Sequence, residues 1–290
     1  MNYIGRFAPS PTGPLHEGSL LTALASYLDA KTHQGRWLVR IEDLDQPRCN
    51  QAHEKTILDT LEAYGLYWDN AVIRQTDRID RYTDLYQSLI ARKQAYRCSC
   101  SRTDLKGRNA LNHYDRHCLL KPSTQEPTAV RLNVERCQAF NDRLKGYQAP
   151  PSEGVSDFIL YRRDGIVAYQ LAVVLDDYEQ GVTDIVRGSD LLDETHKQRA
   201  LQLTLDYPLL QYAHLPLVLA SDGQKLSKQT FATPLPTEPS DILAQLKKAM
   251  VRLGQIDKEC DTPSDVEGFI AFSIDIWDIH KVPKVIKNSC

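Results

Sequence analysis

The stretch Arg6-Phe-Ala-Pro-Ser-Pro-Thr-Gly-Pro-Leu-His16-Glu-Gly-Ser19 decides the first structural unit of this chain. The apolar residues within 2–8 predict a short strand that leads into it. The prolines and the glycine that follow exclude regular structure, so they predict a tight and fixed loop. Leucine and tyrosine at helical spacing then predict a helix over 18–32. Strand, loop and helix in this order are typical of a βαβ unit.

The junction between this loop and the helix favours phosphate binding. A helix N-terminus carries unpaired amides and the positive end of the helix dipole. Gly18 permits close approach of a ligand, and the His16 imidazole can donate a hydrogen bond to a phosphate oxygen. Taken alone, an H-x-G string is better explained by a loop or N-cap histidine without a ligand.

A second string, Lys225-Leu-Ser-Lys228-Gln229, follows about 200 residues later. It comes after Ser221-Asp-Gly223, which predicts a turn and a mobile loop. Two lysines on such a loop could close on a triphosphate and stabilise the charge that develops as pyrophosphate leaves. The alternative is an ordinary solvated lysine loop. The chain has no Walker A motif and no G-x-G-x-x-G, so the common phosphate-loop and dinucleotide interpretations lack support.

Composition describes an ordinary globular protein. The chain has 290 residues, 42% hydrophobic and 25% charged, with a net charge of −3. No export signal and no run of about 18 apolar residues occurs, so we expect a soluble cytoplasmic protein without a membrane partner. Nothing in the sequence suggests an obligate interface, so we expect a monomer.

Alternating strand and helix patterns predict an α/β fold with a Rossmann-type parallel sheet. The first half of the sheet falls in 1–95, and the pattern resumes over 156–215; a further apolar strand is predicted at 215–219. Residues 96–155 break the rhythm and predict an insertion with its own small fold. The last part, 216–290, combines the lysine loop with a mostly helical subdomain.

The insertion contains three of the seven cysteines, in the pattern Cys98-x-Cys100-x17-Cys118. Three thiols within 21 residues of an intracellular chain favour a metal over disulfides. Zn²⁺ would hold together a segment too small to form a core. On chemistry alone, His113 or His117 would be the fourth ligand, because imidazole binds Zn²⁺ better than a neutral phenol. Three free or buried thiols are the alternative.

The two strings resemble the HIGH and KMSKS signatures of class I aminoacyl-tRNA synthetases. Further stretches resemble the glutamyl/glutaminyl branch of that class, namely Arg6–Gly13, Arg40-Ile-Glu-Asp-Leu-Asp45, Gly181-Val-Thr-Asp-Ile-Val-Arg-Gly188 and His214-Leu-Pro-Leu217. The first string keeps only two letters of HIGH, and the second departs from KMSKS at its second and last positions. The resemblance implies the fold of a class I synthetase catalytic domain and the ligase activity of that class.

The resemblance also implies which residues bind the substrates. The residues implied for glutamate are Arg6, Ala8, Ser10, Glu42, Tyr169 and Arg187. Those implied for ATP are Pro9, His16, Gly18, Ser19 and Lys228, and those implied for catalysis are His16, Lys225 and Lys228. Glu42 would pair with the α-ammonium group, Arg6 with the α-carboxylate, and Arg187 and Tyr169 with the γ-carboxylate. An arginine at 187 favours glutamate over glutamine, because a neutral amide would leave the guanidinium unpaired. Mg²⁺ is expected with ATP, and the short members of this branch imply Tyr114 as the fourth zinc ligand.

The acceptor is the open question. About sixty residues follow Lys228, which is too few for an anticodon-binding domain. The chain therefore resembles the stand-alone members of this branch, which transfer glutamate to the queuosine base in the anticodon of tRNA(Asp). We expect activation of glutamate to proceed without tRNA. The alternatives are a minimal synthetase that charges the 3′ end of tRNA(Glu), a ligase with a small acceptor, and a non-catalytic tRNA-binding paralogue.

Overall fold

The computed structural model describes residues 3–122, 126–216, 218–219 and 233–287. The strands are Ile4–Phe7 (β1), Arg36–Ile41 (β2), Ile73–Arg74 (β3), Ala95–Cys98 (β4), Ala129–Leu132 (β5), Phe140–Asp142 (β6), Gly146–Gln148 (β7), Ile159–Tyr161 (β8), Asp184–Gly188 (β9), Gln211–Leu215 (β10), Val218–Leu219 (β11) and Ile286–Lys287 (β12). The α-helices are Glu17–Thr32 (α1), Gln51–Ala63 (α2), Ile79–Ala91 (α3), Arg102–Gly107 (α4), His117–Leu120 (α5), Tyr169–Glu179 (α6), Leu192–Thr204 (α7), Pro239–Arg252 (α8) and Val266–Ile276 (α9).

A parallel sheet winds in both directions from β1. On one side β1 pairs with β2, and β2 pairs with β3. On the other side lies β9, where the Thr183 amide donates a hydrogen bond to the Ile4 carbonyl oxygen at 2.9 Å. β10 and β6 continue the parallel sheet beyond β9, and β7 ends it as an antiparallel hairpin with β6. The Rossmann-type sheet predicted from the sequence is therefore confirmed, and its strand order reverses between β1 and β9, where open α/β sheets bind ligands.

Helix α1 is central to the fold, and nearly all of its residues from Leu20 to Ala30 are buried. It contacts β1 and β9 of the sheet and the C-terminal helices α8 and α9. The alanines at 23, 25 and 30 allow this close approach on several sides, because they have the smallest side chains that still favour a helix. The loop of residues 8–16 is consequently anchored between a buried strand and a buried helix.

The buried Asp29 of α1 ties distant segments together. Its carboxylate accepts hydrogen bonds from Arg143 at 2.6 and 3.0 Å, from Trp277 Nε1 at 3.1 Å and from the Tyr3 hydroxyl. Arg143 lies between β6 and β7, and Trp277 directly follows α9. One carboxylate thus joins the N-terminal strand region, the sheet edge and the C-terminal helices.

Two predicted features of the middle of the chain turn out differently. Residues 140–148 fall inside the predicted insertion, yet β6 pairs with β10 and belongs to the main sheet. Conversely, β8 lies in the region predicted to resume the parallel pattern, but it pairs antiparallel with β5 in the small sheet β4-β5-β8. Short strands carry too little periodicity to reveal their partners. The division into 1–95, 96–155, 156–215 and 216–290 stays a prediction.

The strand predicted at 215–219 is displaced. The strand that pairs with β9 is β10, which ends at Leu215, and β11 pairs instead with β12 near the C-terminus. His214 and Leu215 are buried in β10. The strand ends there because Pro216 has no amide proton to donate to a sheet ladder. Within the described ranges, none of the helices combines the length and apolar character that a membrane crossing requires.

Candidate active site and metal cluster

A cavity of about 500 Å³ opens between β1 and β9, at the reversal of strand order. The predicted glutamate and ATP residues that the structure describes all line it, namely Arg6, Ala8, Pro9, Ser10, His16, Gly18, Ser19, Glu42, Tyr169 and Arg187. These residues come from five separate segments of the chain. The predicted catalytic lysines Lys225 and Lys228 lie outside the described residues.

His16 forms the N-cap of α1. Its Nδ1 accepts hydrogen bonds from the amides of Gly18 at 3.1 Å and Ser19 at 3.3 Å, and its own amide donates to Ser19 Oγ at 2.7 Å. Because Nδ1 is an acceptor, the proton of the neutral imidazole lies on Nε2. The sequence interpretation assigned the free amides of the helix to phosphate. In the structure His16 takes two of these amides itself, and it is also one of the residues that line the cavity.

Gly18 leaves room for this imidazole. A Cβ atom at position 18 would lie 3.2 Å from His16 Cε1 and 3.3 Å from Nδ1, which is tighter than an ordinary carbon contact. The absence of a side chain at Gly18 therefore makes room for the His16 ring as well as for a ligand.

A buried ion network lies behind Arg6 and Glu42. Asp177 on α6 accepts from Arg6 Nε at 3.2 Å and from Arg40 Nη1 at 2.8 Å, and Arg40 Nη2 lies 3.4 Å from Glu42. Burial acts to raise the pKa of Asp177, but Arg40 and Arg6 hold it below its ordinary value. Burial also raises the pKa of Glu42, and the same arginines offset this only in part. Arg6 and Glu42 are thus fixed in place with opposite charges facing one cavity.

Arg187 is held on the opposite wall, at the carboxyl end of β9. Its Nε donates to His214 Nε2 at 3.0 Å, and its Nη2 donates to Thr195 Oγ1 at 2.8 Å and to the Leu191 carbonyl at 3.2 Å. Its Nη1 is buried and has no hydrogen-bond partner among the described residues. A buried guanidinium nitrogen without a partner is costly, and an anionic ligand in the cavity would satisfy it.

Tyr169 begins α6 beside these charges. Burial raises the pKa of its hydroxyl and Glu42 raises it further, while Arg187 and Arg6 act in the opposite direction. The hydroxyl therefore remains protonated at neutral pH, so it can donate a hydrogen bond as well as accept one.

Several supporting residues were missed by sequence reasoning. Asp177 and Arg40 hold the first wall, and Asp142, Thr195 and His214 hold Arg187. Only Arg40 and His214 had a signal, because each begins one of the stretches that resemble the synthetase branch. Asp142 and His214 lie 72 positions apart, and no local spacing marks such a pair.

The predicted metal residues also come together. The sulfurs of Cys98, Cys100 and Cys118 lie within 4.8 Å of one another, and no histidine nitrogen of the described chain joins them. Tyr114 Oη lies 3.4 Å from Cys98 Sγ and 3.6 Å from Cys100 Sγ, and Cys100 Sγ lies 3.4 Å from Cys118 Sγ. The sulfurs are too far apart for a disulfide, whose S–S bond is about 2.05 Å.

These separations fit a tetrahedral metal site. With Zn–S near 2.3 Å and Zn–O near 2.0 Å, ideal tetrahedral geometry places sulfurs about 3.8 Å apart and sulfur and oxygen about 3.5 Å apart. Tyr114 is 4% exposed, so its ring position is set by packing. Burial acts to raise the pKa of the Cys118 thiol, but hydrogen bonds, first that of Tyr114, lower it to about 7.

The two histidines considered as fourth ligands lie elsewhere. His113 Nδ1 lies 3.7 Å from a carboxylate oxygen of Glu153, and the His113 side chain is partly exposed. The His117 amide donates to Asp115 at 3.3 Å at the start of α5. Two guanidinium nitrogens lie nearer to the sulfurs, Arg108 Nη2 at 3.1 Å from Cys100 Sγ and Arg131 Nε at 3.3 Å from Cys98 Sγ, but a guanidinium has no lone pair for a metal. Among the described residues, the Tyr114 hydroxyl is the group best placed to serve as a fourth ligand.

Comparison with known proteins agrees with this geometry. The sequence profile of the family described as tRNA synthetases class I (E and Q), catalytic domain, matches residues 4–255. The chain belongs to this family. It is therefore a ligase of the class I aminoacyl-tRNA synthetase type, which confirms the resemblance stated from its motifs.

Curated relatives of this class I synthetase carry a more specific name. A glutamyl-Q tRNA(Asp) synthetase of Acinetobacter baylyi is 44% identical over 283 residues, which is 97% of this chain and 94% of that protein. Proteins of the same name from Pseudomonas aeruginosa and Vibrio cholerae are 44% and 43% identical, over 98% and 99% of this chain and 96% and 94% of those proteins.

Solved structures agree at the level of the fold. A glutamate tRNA ligase from Elizabethkingia meningosepticum, solved in complex with its amino acid, matches this synthetase with a TM-score of 0.83 at 25% identity. The match covers all of this chain and 67% of that one.

Proposed function

We propose that this synthetase uses ATP to convert L-glutamate into glutamyl-adenylate, and that it transfers glutamate to the queuosine base in the anticodon of tRNA(Asp). The observation that carries the first half is the cavity itself. Its lining includes two arginines, Arg6 and Arg187, and two carboxylates, Glu42 and Asp190, and Nη1 of Arg187 is buried with no hydrogen-bond partner among the described residues. An amino acid with a second negative charge has the complementary groups.

Each charged residue has a role in binding glutamate. We assign Glu42 to the α-ammonium group, Arg6 to the α-carboxylate, and Arg187 with Tyr169 to the γ-carboxylate. Ala8 and Ser10 complete the wall near the backbone of the amino acid. Glutamine would leave the Arg187 charge unpaired in a buried site, which supports selectivity for glutamate.

Activation needs no nucleophile from the protein. A carboxylate oxygen of glutamate attacks the α-phosphorus of ATP, the bond between the α-phosphorus and the bridging oxygen breaks, and pyrophosphate leaves with its added negative charge. Catalysis then consists of positioning and charge stabilisation. We assign Pro9, His16, Gly18 and Ser19 to ATP, with the Nε2 proton of His16 as the donor to a phosphate oxygen.

The predicted lysine loop completes this half-reaction. Lys225 and Lys228 would stabilise the departing pyrophosphate, and Lys228 would also bind ATP. Mg²⁺ accompanies ATP in this class of ligase and neutralises phosphate charge. We expect activation to occur without tRNA, as the sequence suggested.

The choice of acceptor is supported by the curated relatives. Proteins that are 42–44% identical to this synthetase along nearly its whole length are named glutamyl-Q tRNA(Asp) synthetase. A synthetase that charges the 3′ end of tRNA(Glu) would use the same cavity. A non-catalytic tRNA-binding paralogue would have no need for the paired charges of Arg6, Glu42 and Arg187.

We further propose one structural zinc ion bound by Cys98, Cys100, Cys118 and Tyr114. When bound, Zn²⁺ would cross-link β4, which holds Cys98, to the short helix α5, which holds Cys118 and has no other buried side chain. Its role would be to stabilise this segment, since the cluster takes no part in lining the substrate cavity.

Exchange of labelled pyrophosphate into ATP tests the activation step. We expect exchange with glutamate in the absence of tRNA and little or none with glutamine. The variant Arg187→Lys keeps a positive charge but loses the planar fork, so the glutamate KM should rise about 10- to 100-fold while the ATP KM stays unchanged. Exchange that depends entirely on added tRNA would contradict independent activation.

Locating the transferred glutamate tests the acceptor. The protein is incubated with ATP, Mg²⁺, labelled glutamate and bulk tRNA that contains queuosine, and the tRNA is then digested with nuclease. Label on the anticodon nucleoside supports the proposal. Label on the terminal adenosine indicates a tRNA(Glu) synthetase, and absence of label on any tRNA indicates a ligase with a small acceptor or a binding protein.

A further inference from the structure

Arg187 depends on its neighbours for its orientation. Nε and Nη2 of its guanidinium are engaged by His214, Thr195 and Leu191, which leaves only Nη1 for a ligand. A planar guanidinium with two nitrogens held in this way cannot rotate without losing hydrogen bonds. The direction of Nη1 is therefore set by the contacts on the far side of the group.

The contact with His214 requires one particular tautomer. Arg187 Nε always carries a proton, so His214 Nε2 must accept and cannot also be protonated. The proton of the neutral imidazole must then lie on Nδ1, which faces Asp142 Oδ2 at 2.6 Å. Both His214 and Asp142 are buried.

The protonation states support the same arrangement. Burial lowers the pKa of His214 and Arg187 lowers it further, although the hydrogen bond with Asp142 acts in the opposite direction. Hydrogen bonding with His214 holds the pKa of Asp142 below its ordinary value despite burial. An ionised Asp142 therefore faces a neutral His214.

We propose that Asp142 and His214 are positioning residues for substrate recognition: Asp142 fixes the Nδ1–H tautomer of His214, and His214 thereby orients Arg187 toward the γ-carboxylate of glutamate. The inference rests on the proposed function, because it assigns the ligand of Arg187 to glutamate. Neither positioning residue contacts the cavity itself. They act on specificity through the arginine alone.

The variant Asp142→Asn changes the tautomer with almost no change in shape. Asp142 Oδ1 accepts from the amides of Leu144 at 3.0 Å, Lys145 at 2.8 Å and His214 at 3.2 Å, so the carbonyl oxygen of asparagine keeps that position. The amide nitrogen must then face His214 Nδ1 and donate to it. The proton of the imidazole moves to Nε2, where it opposes the Nε proton of Arg187.

The expected result is a selective loss of glutamate affinity. In pyrophosphate exchange, the glutamate KM should rise about 10- to 100-fold, as for the loss of a hydrogen bond to a charged group. The ATP KM and the melting temperature should change little, since the turn and the sheet remain. Asp184→Asn is the matched control, because it makes the same chemical change at the start of the same strand as Arg187.

A second pair of variants covers the case in which Asp142→Asn fails to fold. His214→Gln can place a carbonyl oxygen near the position of Nε2, whereas His214→Leu has no acceptor. We expect the glutamate KM of His214→Leu to exceed that of His214→Gln. Equal values for the two, or a wild-type glutamate KM in folded Asp142→Asn, would overturn the inference.

The tautomer can also be measured in the unaltered protein. Nitrogen-15 NMR of the His214 ring should show a protonated Nδ1 and an unprotonated Nε2 at neutral pH. A protonated Nε2 would overturn the inference without any variant. If the wild-type protein shows no exchange with glutamate at all, the proposed function fails instead, which keeps the two failures distinct.

Discussion

Replacing Tyr114 with phenylalanine should release the metal from the cysteine cluster. The substitution removes one oxygen, which lies 3.4 Å from Cys98 Sγ and 3.6 Å from Cys100 Sγ. These distances match the roughly 3.5 Å of a tetrahedral site with three sulfurs and one oxygen. The aromatic ring stays, so its packing against Arg131, whose guanidinium lies 4.0 Å from the ring centroid, is preserved.

The expected magnitude has two parts. In the metal-free protein, the Cys118 amide loses its acceptor, Tyr114 Oη at 2.9 Å, in a buried site. That loss costs about 1–3 kcal/mol. It lowers the melting temperature by roughly 2–12 °C for a chain of this size class. Loss of a residue that only hydrogen-bonds to a metal ligand weakens metal binding about 10- to 100-fold. Removal of the Tyr114 hydroxyl, a direct ligand, should weaken zinc binding by at least that factor.

The assay is metal content by mass spectrometry after dialysis against a weak chelator, together with melting curves with and without EDTA. We expect one zinc per wild-type chain, a melting temperature that EDTA lowers, and a Tyr114→Phe variant that loses zinc and no longer responds to EDTA. His113→Ala and His117→Ala are the controls and should both keep zinc. Full zinc retention in Tyr114→Phe, or loss in His117→Ala, would refute the assignment of the fourth ligand.

Three further predictions concern the cavity and its support. Gly18→Ala should lower kcat in steady-state exchange about 10- to 100-fold, because the new Cβ would lie 3.2 Å from the His16 ring and displace it. The melting temperature should hold or rise, because alanine favours the helix. Glu42→Gln should raise the glutamate KM about 10- to 100-fold and also raise the melting temperature at pH 7. The pKa of Glu42 lies above its ordinary 4.5 in the folded state, so ionisation of Glu42 at pH 7 opposes folding, and the neutral glutamine removes this cost. An unchanged or lower melting temperature of Glu42→Gln would contradict this reasoning. Asp29→Ala should cost about 3–5 kcal/mol in urea unfolding, because it removes a fully buried carboxylate and leaves the partly buried Arg143 without its partner; a loss below about 1 kcal/mol would show that this contact contributes little.

The elements around the first loop could be predicted closely from the sequence. The strand before Pro9 and the helix that ends at Thr32 follow from local rules, since proline excludes regular structure and leucine recurs at helical spacing. The partners of short strands could not be predicted. β6 has three residues, and its place beside β10 depends on side chains that meet only in the folded protein.

The candidate site divides in the same way. The resemblance assigned its lining residues, and the structure brings those that it describes to one cavity. It did not assign the groups behind them. Asp177 reaches Arg6 across 171 positions of sequence, and Asp142 reaches His214 across 72. Pairs so distant in the sequence follow no helical or strand periodicity and no fixed motif spacing, so the sequence alone does not reveal them.

The sequence by itself therefore determined the loop that begins α1, the charged residues that are candidates for substrate binding, and the cysteines that are candidates for a metal site. Local sterics, hydrogen-bond capping and side-chain chemistry are properties of neighbouring residues, so they can be read along the chain. Only the tertiary structure decided the protonation, the tautomer and the orientation of those side chains. The proton of His16 lies on Nε2 because Nδ1 caps a helix, and Arg187 presents Nη1 because buried neighbours engage its other nitrogens. Protonation, tautomer and orientation depend on what lies within about 3 Å in space, and that is a property of the fold.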